Sequence, residues 1–177
     1  PVLCLLLRAD ARRPSRRIWL VVPLLALWSN LHGAALLGLG VVLGYLALSK
    51  LRRAPLQACA LALAAAAAMC LTPALLHTPG YYHGLLTNLA AERGDGMWAP
   101  LSLSAPFDLL LLAAAVTLVA WARRSRPAAW ELAIAIGLLA LTVQGSRNGV
   151  WLLLFLAPRA ALARRAALTP AHPPTPR

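Results

Sequence analysis

Residues 18–49 read IWLVVPLLALWSNLHGAALLGLGVVLGYLALS, two apolar runs separated by the polar sequence SNLHG at residues 29–33. Leu and Ala dominate both runs, which favours helices over strands. Basic clusters flank the segment at residues 8–17 and 50–53. A straight span would put these clusters on opposite sides of a membrane, whereas a hairpin keeps both inside, as the positive-inside rule requires. We therefore predict a hairpin with the polar break at its tip; a long, tilted, kinked helix is the alternative.

A second segment, residues 130–157, has the same layout. Its polar break reads QGSRNG at residues 144–149, and basic clusters flank it at residues 123–126 and 159–165. Each arm of such a hairpin has about 12 to 16 residues, roughly 18 to 24 Å of helix, which is less than a hydrocarbon core of about 30 Å. Both polar tips should therefore face a shared interior lined by protein or water.

The composition of the whole chain is that of a membrane protein. It is 60% hydrophobic and 12% charged, with a mean hydropathy of +0.70, whereas soluble domains carry about 25% charged residues. Residues 55–72 and 105–122 are apolar enough to form two simple spans. The predicted fold class is all-α, a polytopic transmembrane helical bundle with two broken or hairpin-like helical segments.

Three regions follow from this pattern. Residues 1–17 are interpreted as the end of an upstream membrane helix plus a basic cytoplasmic loop, so that the sequence would be a fragment of a longer protein. Residues 18–158 form the transmembrane helical region, with a turn-rich external loop at about residues 73–104. Residues 159–177 form a basic, Pro-rich cytoplasmic tail.

The net charge of +12 would point to nucleic acid in a soluble protein. Here the cations are clustered between apolar segments, so we predict membrane lipids as partners and no nucleic acid. Cys4, Cys59 and Cys70 lie in apolar runs without metal-ligand spacing, and no cofactor-binding motif is present. The sequence therefore predicts no metal site and no cofactor.

Arg147 is the most informative polar residue, because an arginine within an apolar segment costs about 2.5 to 3.5 kcal/mol or more unless something compensates it. An anionic ligand such as a lipid phosphate would suit its planar guanidinium. The structural alternatives are an ion pair with Asp108 or Glu131, or extension of the side chain to the headgroups.

Asn30 and His32 are the polar side chains of the first break. In the structural interpretation, Asn30 caps the helix that restarts at Gly33, and His32 forms a hydrogen bond to a neighbouring helix. In the functional interpretation, His32 lies in the cavity as a proton carrier or phosphate contact. Glu92 and Asp95 match no specific motif and are expected to belong to a solvated loop.

Four short motifs resemble those of a known family. They are WSNLHG at residues 28–33, LTP at residues 71–73, WAP at residues 98–100, and the dipeptide Arg147-Asn148. Bacterial polytopic proteins related to GT-C glycosyltransferases carry WANLHG, LNPYG, EWxxP and RN in the same order. This chain departs from that pattern at Thr72, Ala74, Leu75 and Met97.

The resemblance implies a multi-pass protein of the bacterial inner (plasma) membrane. Such proteins transfer a hexosyl or pentosyl group from a polyprenyl-phosphate-linked sugar. An acidic residue in their first external loop acts as the catalytic base, and that loop is not in this sequence. The residues that carry over as substrate-binding candidates are Asn30, His32, Arg147 and Asn148; the catalytic residues stay unknown. The alternative is a non-enzymatic multi-pass protein, either transporter-like or a structural subunit.

Overall fold

The computed structural model describes residues 2–87, 89–94, 98–124 and 126–168, and the regular structure in these residues is helical. The all-α prediction is therefore confirmed. The α-helices are α1 (Val2–Arg12), α2 (Val21–Leu31), α3 (Ala35–Tyr45), α4 (Pro55–Ala68), α5 (Thr78–Leu86), α6 (Leu89–Arg93), α7 (Pro106–Arg123), α8 (Ala129–Gln144) and α9 (Gly149–Leu168).

Local sequence explains where the apolar helices begin. Proline opens both α4 and α7, because its fixed φ suits the first helical position, where no intrahelical N–H bond is lost. The two predicted simple spans thus correspond to α4, which ends short of residue 72, and α7. Within the described residues, α7 is the one helix long and apolar enough to cross a membrane, with 18 residues and a mean hydropathy of 1.6.

The first polar break interrupts the helix at the predicted place. Ser29 Oγ and Asn30 Nδ2 both donate hydrogen bonds to the carbonyl of Ala26, at 2.9 and 2.8 Å. Such bonds from side chain to backbone compete with the helix ladder. His32 then adopts an extended conformation, and α3 starts three residues later.

The two arms around this break fold back on each other. Trp28 of α2 lies directly on Gly38 of α3, so closely that a side-chain carbon at Gly38 would overlap its ring. At the other end, the Asp10 carboxylate accepts hydrogen bonds from the Ser15 backbone N–H at 3.1 Å and from Lys50 Nζ at 2.6 Å. Ser15 and Lys50, which flank the two ends of the segment, therefore bind the same carboxylate, and the segment is a hairpin.

The second break also joins two antiparallel arms. Asn148 Nδ2 donates to the carbonyl of Leu141 at 3.0 Å and closes the end of α8. At the far end of the arms, the Glu131 carboxylate accepts hydrogen bonds from Arg159 Nη2 of α9, at 2.5 Å, and from Arg8 Nε, at 2.7 Å. Helices α8 and α9 therefore form a second hairpin, and α7 packs along α9.

Three boundaries differ from the prediction. Helix α1 continues to Arg12 and buries Arg8 and Asp10, so the first basic cluster is not all loop. The segment at residues 73–104 contains the short helices α5 and α6. Helix α9 continues through Pro158 to Leu168, so the first half of the predicted tail is helical; residues 169–177 lie outside the described part of the chain.

The bundle has two chemically different ends. We call one the basic end, because the four basic clusters lie there. The ion pair of Lys50 with Asp10 joins the clusters at residues 8–17 and 50–53. Arg159 donates to the backbone carbonyl of Arg126 and to Glu131, and the first of these bonds joins the clusters at residues 123–126 and 159–165. We call the other the tip end, where both polar breaks contact described residues of the connection between α4 and α7, the tip segment. There the Ser146 N–H donates to Ala99, and Asn30 donates to Leu71.

The sides of the bundle between these ends are apolar. Large hydrophobic side chains are exposed on each of the main helices, whereas the outward face of a helix in a water-soluble protein is polar. Examples are Leu5, Leu27, Leu43, Leu63, Leu110, Val116, Ile136, Leu139 and Leu154.

Candidate ligand-binding site at the tip end

Arg147 occupies the 3-10 turn between α8 and α9, beside the segment that crosses the tip end. Its guanidinium carbon lies 3.2 Å from the centroid of the Trp98 ring, a cation–π contact. Such a contact is worth about 2 kcal/mol when desolvated but does not neutralise the charge. A guanidinium held by its face also keeps the N–H groups at its edge available for oxygen acceptors.

Neither Asp108 nor Glu131 forms an ion pair with Arg147. Glu131 lies at the basic end, with both oxygens bound to other groups. Asp108 is buried and accepts a hydrogen bond from the Ser102 N–H at 2.8 Å, which ties the tip segment to the start of α7. Among the described residues, no carboxylate lies within ion-pair distance of Arg147.

His32 is exposed and held in one orientation. Its Nδ1 accepts a hydrogen bond from the Ala34 N–H at 2.9 Å, which assigns the proton of the neutral ring to Nε2. The ring meets Trp151 of α9 edge to face, with the centroids 5.9 Å apart. His32 therefore reaches the second hairpin through an aromatic contact rather than the expected hydrogen bond.

The two asparagines act mainly on the backbone. Asn30 does not cap α3, contrary to one interpretation of the sequence; its amide bridges the carbonyls of Ala26 and Leu71. Asn148 closes α8 through Leu141. Both residues therefore fix the backbone at the breaks.

The residue that connects the two breaks, Trp151, was not singled out from the sequence. It lies in the first turn of α9, four residues after Arg147 of the 3-10 turn. Its ring contacts His32 and also Trp28, with the two tryptophan centroids 5.5 Å apart. An aromatic residue four positions after a costly arginine was the available signal.

An apolar groove runs from these tryptophans toward the basic end. Its volume is about 310 Å³, and its lining side chains are all apolar. Helices α1, α2, α3, α8 and α9 contribute to it; Trp28 and Trp151 lie at its tip end, and Leu3 and Phe155 lie farther down. The groove thus extends along the side of the bundle and ends near the polar groups of the tip end.

The other acidic candidates do not join this site. Glu92 is exposed on the short helix α6, and Asp95 lies outside the described residues. Within the described part of the chain, no group of three or more His, Cys, Asp or Glu side chains could hold a metal ion.

Comparison with known proteins identified no relatives: no family model, no curated protein and no solved structure matches the chain.

Proposed function

We propose that this chain is a multi-pass protein of the bacterial inner membrane, with the basic end in the cytoplasm and the tip end outside. The observation that carries the topology is the collection of all four basic clusters at one end of the bundle. The apolar sides of the helices suit lipid contact, and α7, with about 27 Å of helix, matches the hydrocarbon thickness. The arms of the hairpins are shorter, so the polar tips would lie within or near the outer leaflet.

We further infer that the tip end binds the phosphate of a polyprenyl-linked sugar, as part of a GT-C-like glycosyltransferase. The observation that carries this inference is the position of Arg147, fixed on Trp98 without a carboxylate partner among the described residues. Arg147 would bind the phosphate oxygens, and His32 would donate from Nε2 to the same group. The apolar groove, of about 310 Å³, would hold the part of the isoprenoid tail next to the phosphate.

The backbone at Leu75 gives independent support. In the family pattern LNPYG, this position is glycine, and in this chain Leu75 has a φ of 45°, in the left-handed region that glycine favours. At the asparagine position of that pattern, Thr72 forms a hydrogen bond with Thr78, 2.8 Å between the hydroxyl oxygens. The local backbone therefore suits the family's motif even where the side chains have changed.

The alternative, a transporter-like protein, is less well supported. A midplane transport site is commonly built from broken helices in two repeats of opposite orientation. Here both breaks lie at the same end of the bundle, and both hairpins have their basic ends together. The two described hairpins therefore have the same orientation and are not an inverted pair.

The binding test uses undecaprenyl phosphate and the chain in phosphatidylcholine nanodiscs, with native mass spectrometry as the readout. We expect Arg147→Ala to weaken binding about tenfold or more, as for loss of a charge-assisted hydrogen bond. Arg93→Ala, which removes an exposed cation from the same end, is the matched control and should bind normally. Equal affinity of wild type and Arg147→Ala would contradict the proposed phosphate site.

The activity test uses the complete gene product in proteoliposomes with a panel of radiolabelled polyprenyl-phosphate sugars. Arg147→Ala and His32→Ala should lose sugar transfer while retaining their helical content, and Arg93→Ala should keep it. If the folded wild type transfers no sugar from any donor, the protein is a transporter-like or structural component instead.

A further inference from the structure

A second cavity lies at the basic end, far from the tryptophans of the tip. We call it the arginine pocket; its volume is about 240 Å³, and it opens between α1, α8 and α9. Its lining residues are Arg8, Ala11, Arg12, Arg126, Ala128, Trp130, Glu131 and Arg159.

The buried charges at this pocket do not balance. Arg8 is 6% exposed, Glu131 is 5% exposed, and the side chain of Arg159 is 14% exposed. A single carboxylate thus serves two guanidinium groups, which leaves one positive charge in excess. Arg12 and Arg126 add two more at the exposed rim, so the pocket is strongly cationic.

The hydrogen bonds are also unbalanced. The Glu131 carboxylate already accepts from Arg8 Nε, Arg159 Nη2 and the Ala128 N–H. Arg8 Nη2 donates to the Phe155 carbonyl at 3.1 Å. Arg8 Nη1 and Arg159 Nε are buried and find no acceptor within the described residues. Since buried donors are normally paired, the pocket lacks an acceptor with negative charge.

The geometry points to a phosphate group as the ligand of the arginine pocket. Several converging guanidinium groups suit an oxyanion with multiple acceptor oxygens. Glu131 repels an anion less than a free carboxylate would, because three donors already hold its oxygens. The phosphate belongs either to an anionic lipid of the leaflet beside the basic clusters or to a free phosphate ion.

The test measures thermal unfolding of the full chain in phosphatidylcholine nanodiscs. One series titrates inorganic phosphate, and the other replaces part of the phosphatidylcholine with phosphatidylglycerol. Either ligand should raise the Tm, since it binds the folded state alone. Stabilisation by phosphatidylglycerol alone assigns the site to a lipid headgroup; stabilisation by inorganic phosphate shows that the free ion suffices.

The decisive variants change only the exposed rim, so that the buried ion pairs and the fold stay intact. Arg12→Gln and Arg126→Gln should each weaken the apparent affinity about tenfold, the effect of losing one charge-assisted hydrogen bond. The matched controls Arg13→Gln and Arg53→Gln remove exposed arginines of the same basic end that do not line the pocket.

Two results would overturn this assignment. One is the absence of any Tm increase with both ligands; the other is an equal loss of stabilisation in the control variants, which would mean general attraction to a basic surface. Because Arg147 is itself a proposed phosphate ligand, both series are repeated in Arg147→Ala, and a Tm increase that persists in this variant belongs to the arginine pocket. Failure of the tip site and failure of the arginine pocket can thus be told apart.

Discussion

At the scale of single residues, Leu75 carries local backbone strain. Its left-handed backbone costs a residue with a Cβ about 1 to 2 kcal/mol, and its side chain, 61% exposed, recovers little of that by packing. We expect Leu75→Gly to stabilise the protein by about 1 kcal/mol, measured by thermal unfolding in detergent. The neighbouring Leu76, also exposed, does not have a positive φ. Leu76→Gly should therefore destabilise, and a gain in both variants would show that strain is not the cause.

Asp10 links stability to pH. Burial raises the pKa of its carboxyl, but hydrogen bonds from Lys50, Tyr45 and the Ser15 N–H outweigh that effect and hold the pKa below its usual value. The pKa of Asp10 is lower in the folded chain than in the unfolded chain, where it is about 3.9. The stabilisation is therefore complete at pH values above about 3.9 and is lost as the pH falls through the pKa of the folded chain.

Asp10→Asn should therefore lower the free energy of unfolding at pH 7 by about 3 kcal/mol or more, since Lys50 stays buried without its partner. The variant should also lose the acid-dependent part of the unfolding curve. Glu92→Gln, a change at an exposed carboxylate, is the control. An unchanged acid transition in Asp10→Asn would rule out this ion pair as its source.

The sequence predicted some properties of individual residues but not the contacts that they form. The cost of Arg147 was predictable from its position in an apolar segment, but Trp98 as its neighbour was not, because that contact depends on how the tip segment crosses the break. Similarly, the sequence suggested Asp108 and Glu131 as partners of Arg147 on charge alone. Only the fold shows that both carboxylates bind other groups.

At the scale of the helices, the close approach of α2 and α3 depends on Gly38. We expect Gly38→Ala to destabilise by about 1 to 3 kcal/mol, because the new methyl group would overlap the ring of Trp28. Gly40 lies on the same helix with no atom near its missing side chain. Gly40→Ala should be neutral or stabilise by about 0.5 to 1 kcal/mol. Similar losses in both variants, measured by denaturant titration, would contradict the packing argument.

Both breaks were predictable, because polar residues and glycine interrupt the apolar runs there. The basic clusters that flank each run are also expected on the same side of the membrane. Helix ends were less predictable. Pro158 is a common stop signal, yet α9 continues past it, while Arg159 in its last half is held by Glu131 and the Arg126 carbonyl. The sequence could not reveal this continuation, because it depends on partners from distant positions.

At the scale of the whole molecule, the distribution of charge predicts a single topology. In a variant with Cys4, Cys59 and Cys70 replaced by Ala, an impermeant maleimide should label Arg53→Cys and Arg123→Cys only from the cytoplasmic side. Leu76→Cys and Thr87→Cys should react only from outside. All four positions are exposed, so labelling of both pairs from the same side would contradict the proposed topology.

The ion pairs of Glu131 have a consequence for biosynthesis. This carboxylate joins α1, α8 and α9, and the ribosome makes α9 after the other two helices. Until Arg159 emerges, Glu131 can reach only one of its two arginine partners, and the contact that joins α1 to α9 through this carboxylate is missing. A chain truncated before α9 should therefore be degraded by membrane proteases, whereas a chain that includes α9 forms both ion pairs of Glu131 and escapes degradation.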